Sequence, residues 1–316
     1  MPGLDALRAN YQRLLTGFDG VGQNLGLSLE KFNPYIDSGN EHEQKQAAFD
    51  RMTTFNFSSI QPLKESYNRH LDEWRTIQQA RRTVISCTIK STSRVLLGTG
   101  NASVHNFGFN LSKPWGVPYI SGSTLKGLVS SWLARRGGDA WWRAGRGAEK
   151  SPLQVELFGG IVKDDAKEQA WAGSVIFNDA LMLLGPQPCF VADIITSHHM
   201  KYYGGSRMPD GTEDPNPVGI VALRPDTQFF ISLEGPRDAT TFVLEVLKKA
   251  LAEEGLGGKT AVGYGRFAVV ESTIQFGGEK TAAAGAGAAQ PAAQAKPASL
   301  INKGDQVEVV VLADKT

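Results

Sequence analysis

The stretch "GLGGKTAVGYGRF", residues 255–267, places Lys259, Tyr264 and Arg266 among five glycines. A Gly-Lys-Thr after a glycine run is typical of the phosphate-binding loop of nucleotide hydrolases, but that loop needs a strand before it and a helix after it. Here an apolar stripe of helical spacing precedes the run and a strand-like segment follows it. The glycines would instead let a bulky chain approach the backbone, while the bases pair with phosphates and the tyrosine ring stacks. The loop therefore favours contact with RNA over nucleotide hydrolysis.

A second candidate phosphate site lies in "PYISGSTLKG", residues 118–127. Ser121, Gly122 and Ser123 stand where a loop becomes a helix, so unpaired backbone N–H groups and the positive end of the helix dipole would point outward. Lys126 projects from the first turn, and the glycine after it costs about 1 kcal/mol relative to alanine, which favours a close neighbour. The alternative is ordinary capping by Ser123, with the glycine used for tight packing. The residues alone leave both interpretations open.

The charges are unevenly distributed along the chain, although the net charge of the 316 residues is only +1. Residues 81–150 carry eleven Lys and Arg but only two acids, a local net charge of +9, and the remainder carries −8. Such a basic block is typical of proteins that bind a polyanion. The alternative is a solvated basic face without a partner.

The elements that position the two loops follow an α+β pattern. Residues 1–80 are predicted to form a helical region, because apolar residues recur at helical spacing. The second of its apolar stripes consists of Leu63, Tyr67, Leu71, Trp74 and Ile77. From residue 82 the apolar residues recur every second position, which indicates a strand. The predicted order of elements is then strand, helix, strand, long insertion, strand, helix, strand. The two helices are predicted at 125–133 and 240–254. This order is that of the split βαβ or ferredoxin-like fold, which RNA-recognition domains use.

The chain after the helical region divides into three parts. Residues 81–278 form the predicted α+β domain. Within it, residues 183–217 are rich in turn formers and too long for an ordinary connection, which predicts a functional or mobile insertion. Residues 279–303 are an Ala-, Gly- and Pro-rich linker. Residues 304–316 carry a single strand signal, which cannot make a domain alone.

Other features exclude whole classes of protein. No run approaches the ~18 apolar residues of a membrane span, and the first residues contain an acid where a signal peptide has bases, so we expect a cytoplasmic protein without membrane contact. Cys87 and Cys189 stand far apart without a Cys-x-x-Cys. We therefore expect two buried thiols, and no disulfide framework, metal site or cofactor.

Five separated segments stand in the order typical of the RAMP superfamily of CRISPR-Cas proteins: "PYISGSTLKG", "VELFGG", "GSVIFNDA", "NPVGIVALRPDTQFF" and "GLGGKTAVGYGRF". The chain resembles this family over residues 82–276, and within it is similar to the sixth subunit of type III-B (Cmr) effector complexes. The resemblance implies a ferredoxin-like (RRM-like) RAMP domain in a non-catalytic, RNA-binding subunit. Such a subunit caps the backbone filament near the 3′ end of the guide RNA in antiviral defence. The implied partners are guide (CRISPR) RNA, target RNA and other RAMP subunits, especially the backbone subunit.

The resemblance also implies roles for particular residues. Family members hold the guide-RNA backbone with the loop before the first helix and with the glycine-rich loop. Here these contacts fall on Ser121, Gly122, Ser123, Lys126, Lys259, Tyr264 and Arg266. The insertion would be a thumb-like element against RNA or a neighbouring subunit, with contacts by His198, His199, Tyr202 and Tyr203.

Cleavage of RNA is the main alternative function. Related backbone subunits cut target RNA with an aspartate in the loop after the first strand, whereas no acid occurs here between Glu73 and Asp139. Without a carboxylate, that loop has no metal ligand. A metal-independent ribonuclease, as in family members that process guide precursors, would need histidines as general acid and base. His198 and His199 are adjacent, so on a strand they would face opposite sides, and His105 would have to complete the pair.

Two more acids and a third class of function complete the alternatives. Asp179 and Asp193 remain near the predicted strands, and Asp179 sits within a strand signal, so we expect it to be structural. A protein-interaction scaffold without its own RNA contact is favoured if another subunit covers the basic block. Salt-dependent RNA binding separates the scaffold from the RNA-binding subunit.

Overall fold

The fold is described in a computed structural model of the chain, which describes residues 24–30, 41–100, 108–142, 150–164, 167–197, 205, 208 and 216–278. Several expectations concern residues outside these ranges: the first part of the helical region, the residues His105, His198, His199, Tyr202 and Tyr203, and the linker and tail from 279 to 316. They stay predictions.

The described residues form six helices and ten strands. The helices are α1 (Leu25–Glu30), α2 (Glu41–Thr54), α3 (Gln61–Ala80), α4 (Gly122–Arg136), α5 (Pro152–Phe158) and α6 (Arg237–Glu253). The strands are β1 (Val84–Ser91), β2 (Tyr119–Ile120), β3 (Gly160–Asp164), β4 (Lys167–Trp171), β5 (Ile176–Phe177), β6 (Ala180–Leu183), β7 (Phe190–Ser197), β8 (Asn216–Leu223), β9 (Gln228–Glu234) and β10 (Phe267–Phe276).

The central sheet is antiparallel and has the strand order β10-β1-β9-β6-β2, with β5 also paired to β9. β1 is an interior strand, in which Ile89 pairs with Phe229 of β9 on one side and with Val269 of β10 on the other. The connection from β1 to β6 contains α4 and passes over β9, which lies between these two strands in the sheet. The connection from β9 to β10 contains α6 and passes over β1. The mixed helix and sheet class predicted from the sequence is confirmed.

α4 and α6 pack against each other, and α6 lies on β1, β9 and β10. The apolar stripe predicted for α4 is confirmed, because Leu125, Val129 and Leu133 are all buried. Gly137 ends the helix, and its N–H donates to the carbonyl of Leu133 at 2.7 Å. α6 begins one turn earlier than the apolar pattern indicates, at Arg237.

α3 covers the opposite face of the sheet. Residues 84–89 of β1 are all buried, which requires cover on both faces because successive side chains of a strand alternate. On the α3 side, Tyr67 donates its hydroxyl hydrogen to the carbonyl of Met182 at 2.8 Å. The guanidinium of Arg75 lies 5.3 Å from the ring centre of Phe230. RNA-recognition domains stack bases on a sheet face, and here α3 fills the face that α4 and α6 leave uncovered.

The prediction that Ile77 belongs to the buried apolar stripe of α3 is wrong. Leu63 and Leu71 are buried, but Ile77 is 54% exposed and Gln78 is buried. The helical period of 3.6 residues turns position 78, rather than 77, toward the sheet. There the side-chain oxygen of Gln78 accepts a hydrogen bond from the amide of Asn178, which satisfies a buried polar group.

Residues 183–217 contain more regular structure than their turn-rich sequence predicts. β7 and β8 form an antiparallel hairpin whose base is the pair of Phe190 and Leu223. The strand pattern of β7 is obscured because its apolar residues do not all face the core, and Ile194 is 66% exposed. A two-way backbone bridge between Val95 and Leu223 joins the hairpin to the segment after β1. β3 and β4 form a second, separate hairpin.

The cysteines and the acids carry no metal or disulfide chemistry in the described ranges. Both cysteines are buried free thiols, as predicted, and burial raises the pKa of Cys87 to about 12. Among the described residues, no group of three or more His, Cys, Asp or Glu side chains could hold a metal ion. Within the same part of the chain, no helix is both long and apolar enough to span a membrane.

Candidate nucleic-acid interface

The glycine loop, residues 255–266, leaves α6 and enters β10 in the order that the sequence predicts. Gly255 closes the helix in the left-handed region, with a φ of +72°, and its N–H donates to the carbonyl of Ala250 at 3.0 Å. Its apolar neighbour Leu256 is buried. A left-handed glycine with an apolar neighbour is a common end of a helix, so these residues explain why α6 stops here.

The glycine loop packs its backbone against the segment that follows β1. The N–H of Gly258 donates to the carbonyl of Leu96, and the N–H of Gly265 donates to the carbonyl of Arg94, both at 2.8 Å. A Cβ on Gly257 would lie only 2.2 Å from the same Leu96 oxygen. The chain's own packing therefore requires these glycines, whereas the sequence pattern attributes them to the approach of RNA.

Lys259 and Gly263 form the open part of the glycine loop. Lys259 is exposed, has a φ of +57° and precedes the 3-10 turn Thr260–Val262. In the described ranges, no acid or other side chain pairs with its ammonium group. Val262 is 72% exposed, and a Cβ on Gly263 would meet nothing within 4 Å. An exposed cation beside bare backbone can be approached closely by a phosphate chain.

The other two predicted side chains of the glycine loop are engaged within the protein. Tyr264 donates its hydroxyl hydrogen to Asp193 Oδ2 at 2.5 Å, and the same oxygen lies 2.8 Å from Nη1 of Arg94. Arg266 donates from Nη1 to the carbonyl of Glu254 at the end of α6, which is a structural role at a helix C-terminus. Contacts of Tyr264 and Arg266 with RNA stay predictions.

Asp193 is a charged carboxylate at neutral pH. Burial alone would raise its pKa, but the hydrogen bonds from Tyr264 and from the N–H of Ile194, together with the charge of Arg94, lower the pKa of the carboxyl below its ordinary value. Burial and the hydrogen bond to Asp193 raise the pKa of Tyr264, so its phenol stays protonated. The group therefore consists of one anion held by a guanidinium and a phenol.

The start of α4 is capped by Ser121, and not by Ser123 as in one of the two interpretations that the sequence leaves open. Ser121 is the N-cap, and its Oγ accepts a hydrogen bond from the N–H of Thr124, while Ser123 lies exposed in the first turn. The N–H of Gly122 donates to Asp179 Oδ1 at 2.7 Å, so a carboxylate of this chain lies at the positive end of the helix. The expectation of an unpaired N–H at Gly122 is wrong, and the structural role expected for Asp179 is confirmed.

The two glycines of α4 have different surroundings. A Cβ on Gly122 would lie 2.0 Å from the carbonyl oxygen of Phe177, so close packing against β5 requires this glycine. A Cβ on Gly127 would meet nothing within 4 Å, which excludes tight packing against the described residues as the reason for it. Lys126 beside it is half-buried, and no described side chain forms an ion pair with it. This face of α4 is open to a partner.

The open face of α4 and the open part of the glycine loop lie at opposite ends of one helix. At the end of α4, Trp132 donates from Nε1 to Glu253 at 3.0 Å, and Arg135 pairs with Glu254, the residue before the glycine loop. α4 has 15 residues, which corresponds to a length of about 22 Å. The residues predicted for RNA contact therefore form two separate surfaces, one near the start of α4 and one beyond its end.

Part of the basic block of residues 81–150 is paired with acids of the same chain. Five of its basic residues pair with acids from outside the block: Arg81 with Glu234, Lys90 with Asp226, Arg94 with Asp193, Arg135 with Glu254, and Arg136 with Glu253. The excess of positive charge along the sequence is thus not one basic patch in space. Lys113 and Lys126 are the lysines of the block for which the described residues supply no such pair.

The sequence pattern gives no reason to select Arg94, and it marks Asp193 only as an acid near the predicted strands. Their partnership joins three segments, since Arg94 follows β1, Asp193 belongs to β7 and Tyr264 to the glycine loop. Asp193 and Tyr264 are 71 positions apart in the chain, so no local pattern marks them as partners. Arg94 could have been noticed only as a base directly after the first strand.

Comparison with known proteins identifies the family. The family model described as "RAMP superfamily" matches residues 88–268. The "CRISPR system Cmr subunit Cmr6" of Pyrococcus furiosus is 25% identical over 255 residues, which cover 65% of this chain and 74% of that protein. The "CRISPR system CMR subunit Cmr6" of Saccharolobus solfataricus is 24% identical over 233 residues, covering 71% of this chain and 72% of that protein.

A solved structure has a similar fold. It is a chain of the cryo-EM structure of the type III-B Cmr-beta bound to cognate target RNA, with a TM-score of 0.53 and 19% sequence identity. The similarity covers 81% of this chain and 88% of that chain, and at this level of identity it concerns the fold alone. Because the family model spans more than half of the residues, the chain belongs to the RAMP superfamily, in which it is similar to the Cmr6 subunits.

Proposed function

We propose that this chain is a non-catalytic, RNA-binding subunit of a type III-B CRISPR (Cmr) effector complex, and that it caps the backbone filament near the 3′ end of the guide RNA. The observation that carries the proposal is the similarity to two Cmr6 subunits over about two thirds of the chain. The proposed partners are guide RNA, target RNA and the other RAMP subunits, above all the backbone subunit.

The strand order supports a ferredoxin-like core for this subunit. Taken as four strands, β1, β6, β9 and β10 form an antiparallel sheet in which each helix-containing connection skips one strand, as in a split βαβ arrangement. Because α3 covers the second face of the sheet, RNA would bind through loops at the edges of the sheet rather than by stacking on its surface. This distinguishes the proposed binding mode from that of RNA-recognition domains.

Two open surfaces support contact with the RNA backbone. Lys259 lies on bare backbone next to Gly263, and Lys126 lies next to Gly127, and at both glycines an added Cβ would meet nothing within 4 Å. A lysine beside exposed backbone can contact a phosphate but does not distinguish one base from another, so we expect RNA to be bound with little dependence on its sequence. The two surfaces are separated along α4, so they would hold different nucleotides of one strand.

The sequence of the first loop supports the non-catalytic part of the proposal. The chain has no Asp or Glu between Glu73 and Asp139, and this interval includes the whole connection from β1 to α4. A metal-dependent cut of RNA at this loop would need a carboxylate that the loop does not contain. The metal-independent alternative depends on His105, His198 and His199, which are outside the described residues.

RNA binding by the purified full chain at several salt concentrations tests the proposal. Binding should weaken with salt, and Lys126→Ala and Lys259→Ala should each weaken it, because each lysine is proposed to neutralise one phosphate. Lys249→Ala is the matched control, since Lys249 is an exposed lysine on α6. The recovered RNA should remain intact on a denaturing gel with and without EDTA, and cleaved RNA would favour the ribonuclease.

A protein-interaction scaffold is the second candidate. The pairing of five basic residues with acids of the same chain favours it, because these pairs reduce the positive charge that the block presents to RNA. The scaffold would assemble with the backbone subunit but leave labelled RNA unbound at every salt concentration. Salt-sensitive binding by the isolated chain would rule it out in favour of the RNA-binding subunit.

A further inference from the structure

Arg94 and Tyr264 present two hydrogen-bond donors to the same oxygen atom of Asp193. The distances are 2.8 Å from Nη1 of Arg94 and 2.5 Å from the hydroxyl of Tyr264. A guanidinium and a phenol that converge on one anionic oxygen also fit an oxygen of a phosphate group. The carboxylate therefore occupies a site whose donors are suited to a phosphate.

We propose that Arg94 and Tyr264 form a phosphate-binding pair for the RNA backbone, and that Asp193 occupies this pair when no RNA is bound. The inference rests on the proposed function and extends it, because it assigns a third contact and a residue that limits affinity. When RNA binds, a phosphate group would replace the carboxylate of Asp193 at the two donors. Asp193 thus lowers the affinity of the chain for RNA.

The backbone that carries the donor pair is held by main-chain hydrogen bonds in which Asp193 takes no part. The N–H of Gly265 donates to the carbonyl of Arg94 at 2.8 Å, and the N–H of Thr92 donates to the carbonyl of Arg266 at 2.8 Å. These two bonds, made by the two residues that follow Tyr264, hold the segment after β1 beside the glycine loop. A site that stays assembled when its anion leaves is pre-organised for another anion.

The exposure of the three side chains permits the exchange. The side chain of Arg94 is 48% exposed and Tyr264 is half-buried, so a phosphate can reach the donors from solvent, while the side chain of Asp193 is only 13% exposed. Asp193 approaches the donors from β7, a strand of the hairpin whose base is held independently by the bridge between Val95 and Leu223. Rotation of one side chain is therefore enough, and the hairpin does not have to leave the domain.

Asp193→Asn tests the inference, because asparagine keeps the size of the side chain and removes its charge. We expect the variant to bind a labelled single-stranded RNA about two- to five-fold more tightly than the unaltered chain, the range that corresponds to a partly exposed ion pair. Adding Arg94→Gln to Asp193→Asn should remove this gain. Thermal unfolding of each variant checks that the compared proteins are folded.

Asp226→Asn is the matched control. Asp226 also pairs with a basic residue of the same block, Lys90, at 2.9 Å, and its removal changes the net charge by the same amount. We expect Asp226→Asn to leave RNA affinity within two-fold. An equal gain in both variants would mean a general effect of net charge and would overturn the inference.

The remaining outcomes separate this inference from the proposed function. If the unaltered chain binds RNA and Asp193→Asn binds with equal or weaker affinity, the phosphate pair is wrong and the RNA-binding subunit stands. If neither protein binds RNA while both are folded, the RNA-binding function of the isolated chain and the inference fail together.

Discussion

The N–H of Gly122, the first residue of α4, donates a hydrogen bond to Asp179 Oδ1 at 2.7 Å. Asp179 lies between β5 and β6, so this bond ties the start of the helix to the loop that joins these two strands. It joins residues 57 positions apart and gives the positive end of the helix an anion from within the chain. The start of α4 is thus stabilised before any ligand arrives.

Asp179→Ala should lower the free energy of unfolding of the protein. The substitution leaves the N–H of Gly122 unpaired and removes a favourable charge from the helix terminus, a loss of about 1–3 kcal/mol in the free energy of unfolding. Urea unfolding followed by circular dichroism measures the change. Asp238→Ala is the control, because Asp238 is an exposed acid in the first turn of α6. Equal losses in the two variants would mean that the hydrogen bond contributes nothing beyond charge.

Alanine at the two glycines of α4 should change stability in opposite directions. Gly122→Ala forces a Cβ to within 2.0 Å of the Phe177 oxygen, and the resulting overpacking should cost about 1–3 kcal/mol. Gly127→Ala adds a methyl group where nothing lies within 4 Å and should stabilise the helix by about 0.5–1 kcal/mol. Thermal unfolding of the isolated chain compares them, and a loss of stability in Gly127→Ala would contradict the open surface.

The sequence predicts these local features of α4 and α6 well, because each depends on residues close together in the chain. The buried positions 125, 129 and 133, the helix end at Gly137 and the left-handed Gly255 all follow from helical spacing and from glycine at a helix end. The strand of residues 267–276 follows from its β-branched and aromatic residues. Neither set requires knowledge of the tertiary structure.

What the sequence does not predict is the pairing of distant segments. The spacing of Leu63 and Leu71 predicts that α3 exists, but not that it covers the sheet face that RNA-recognition domains leave open. The glycines at 257 and 258 indicate close approach, but the approaching backbone is that of Leu96 in the same chain. The sequence also shows a basic block at residues 81–150. Its ion pairs form with acids outside the block, which only the tertiary structure places beside it.

The stabilising effect of Asp193 should depend on pH. The pKa of its carboxyl is lower in the folded protein than in the unfolded chain, so its contribution is fully present above the unfolded value of about 3.9 and is lost as the pH falls through the folded value. We expect Asp193→Asn to be less stable than the unaltered chain at neutral pH, and the difference to shrink as the pH falls below about 4. Urea unfolding of both proteins across that range measures it, and a constant difference would show that the charge of Asp193 does not stabilise the fold.

The two exposed lysines should act independently on RNA binding. Lys126 precedes Arg135 by nine residues, about 14 Å along α4, and Arg135 pairs with Glu254 directly before the glycine loop, so we expect Lys126 and Lys259 to contact different phosphates. Each substitution to alanine should reduce the slope of log affinity against log salt concentration by about 0.7, and the double variant should reduce it by about 1.4. Fluorescence anisotropy with one labelled single-stranded RNA at several salt concentrations gives the three slopes. A double variant with the slope of either single variant would mean that only one lysine contacts phosphate at a time, and the model of one strand held at both ends of α4 would then be wrong.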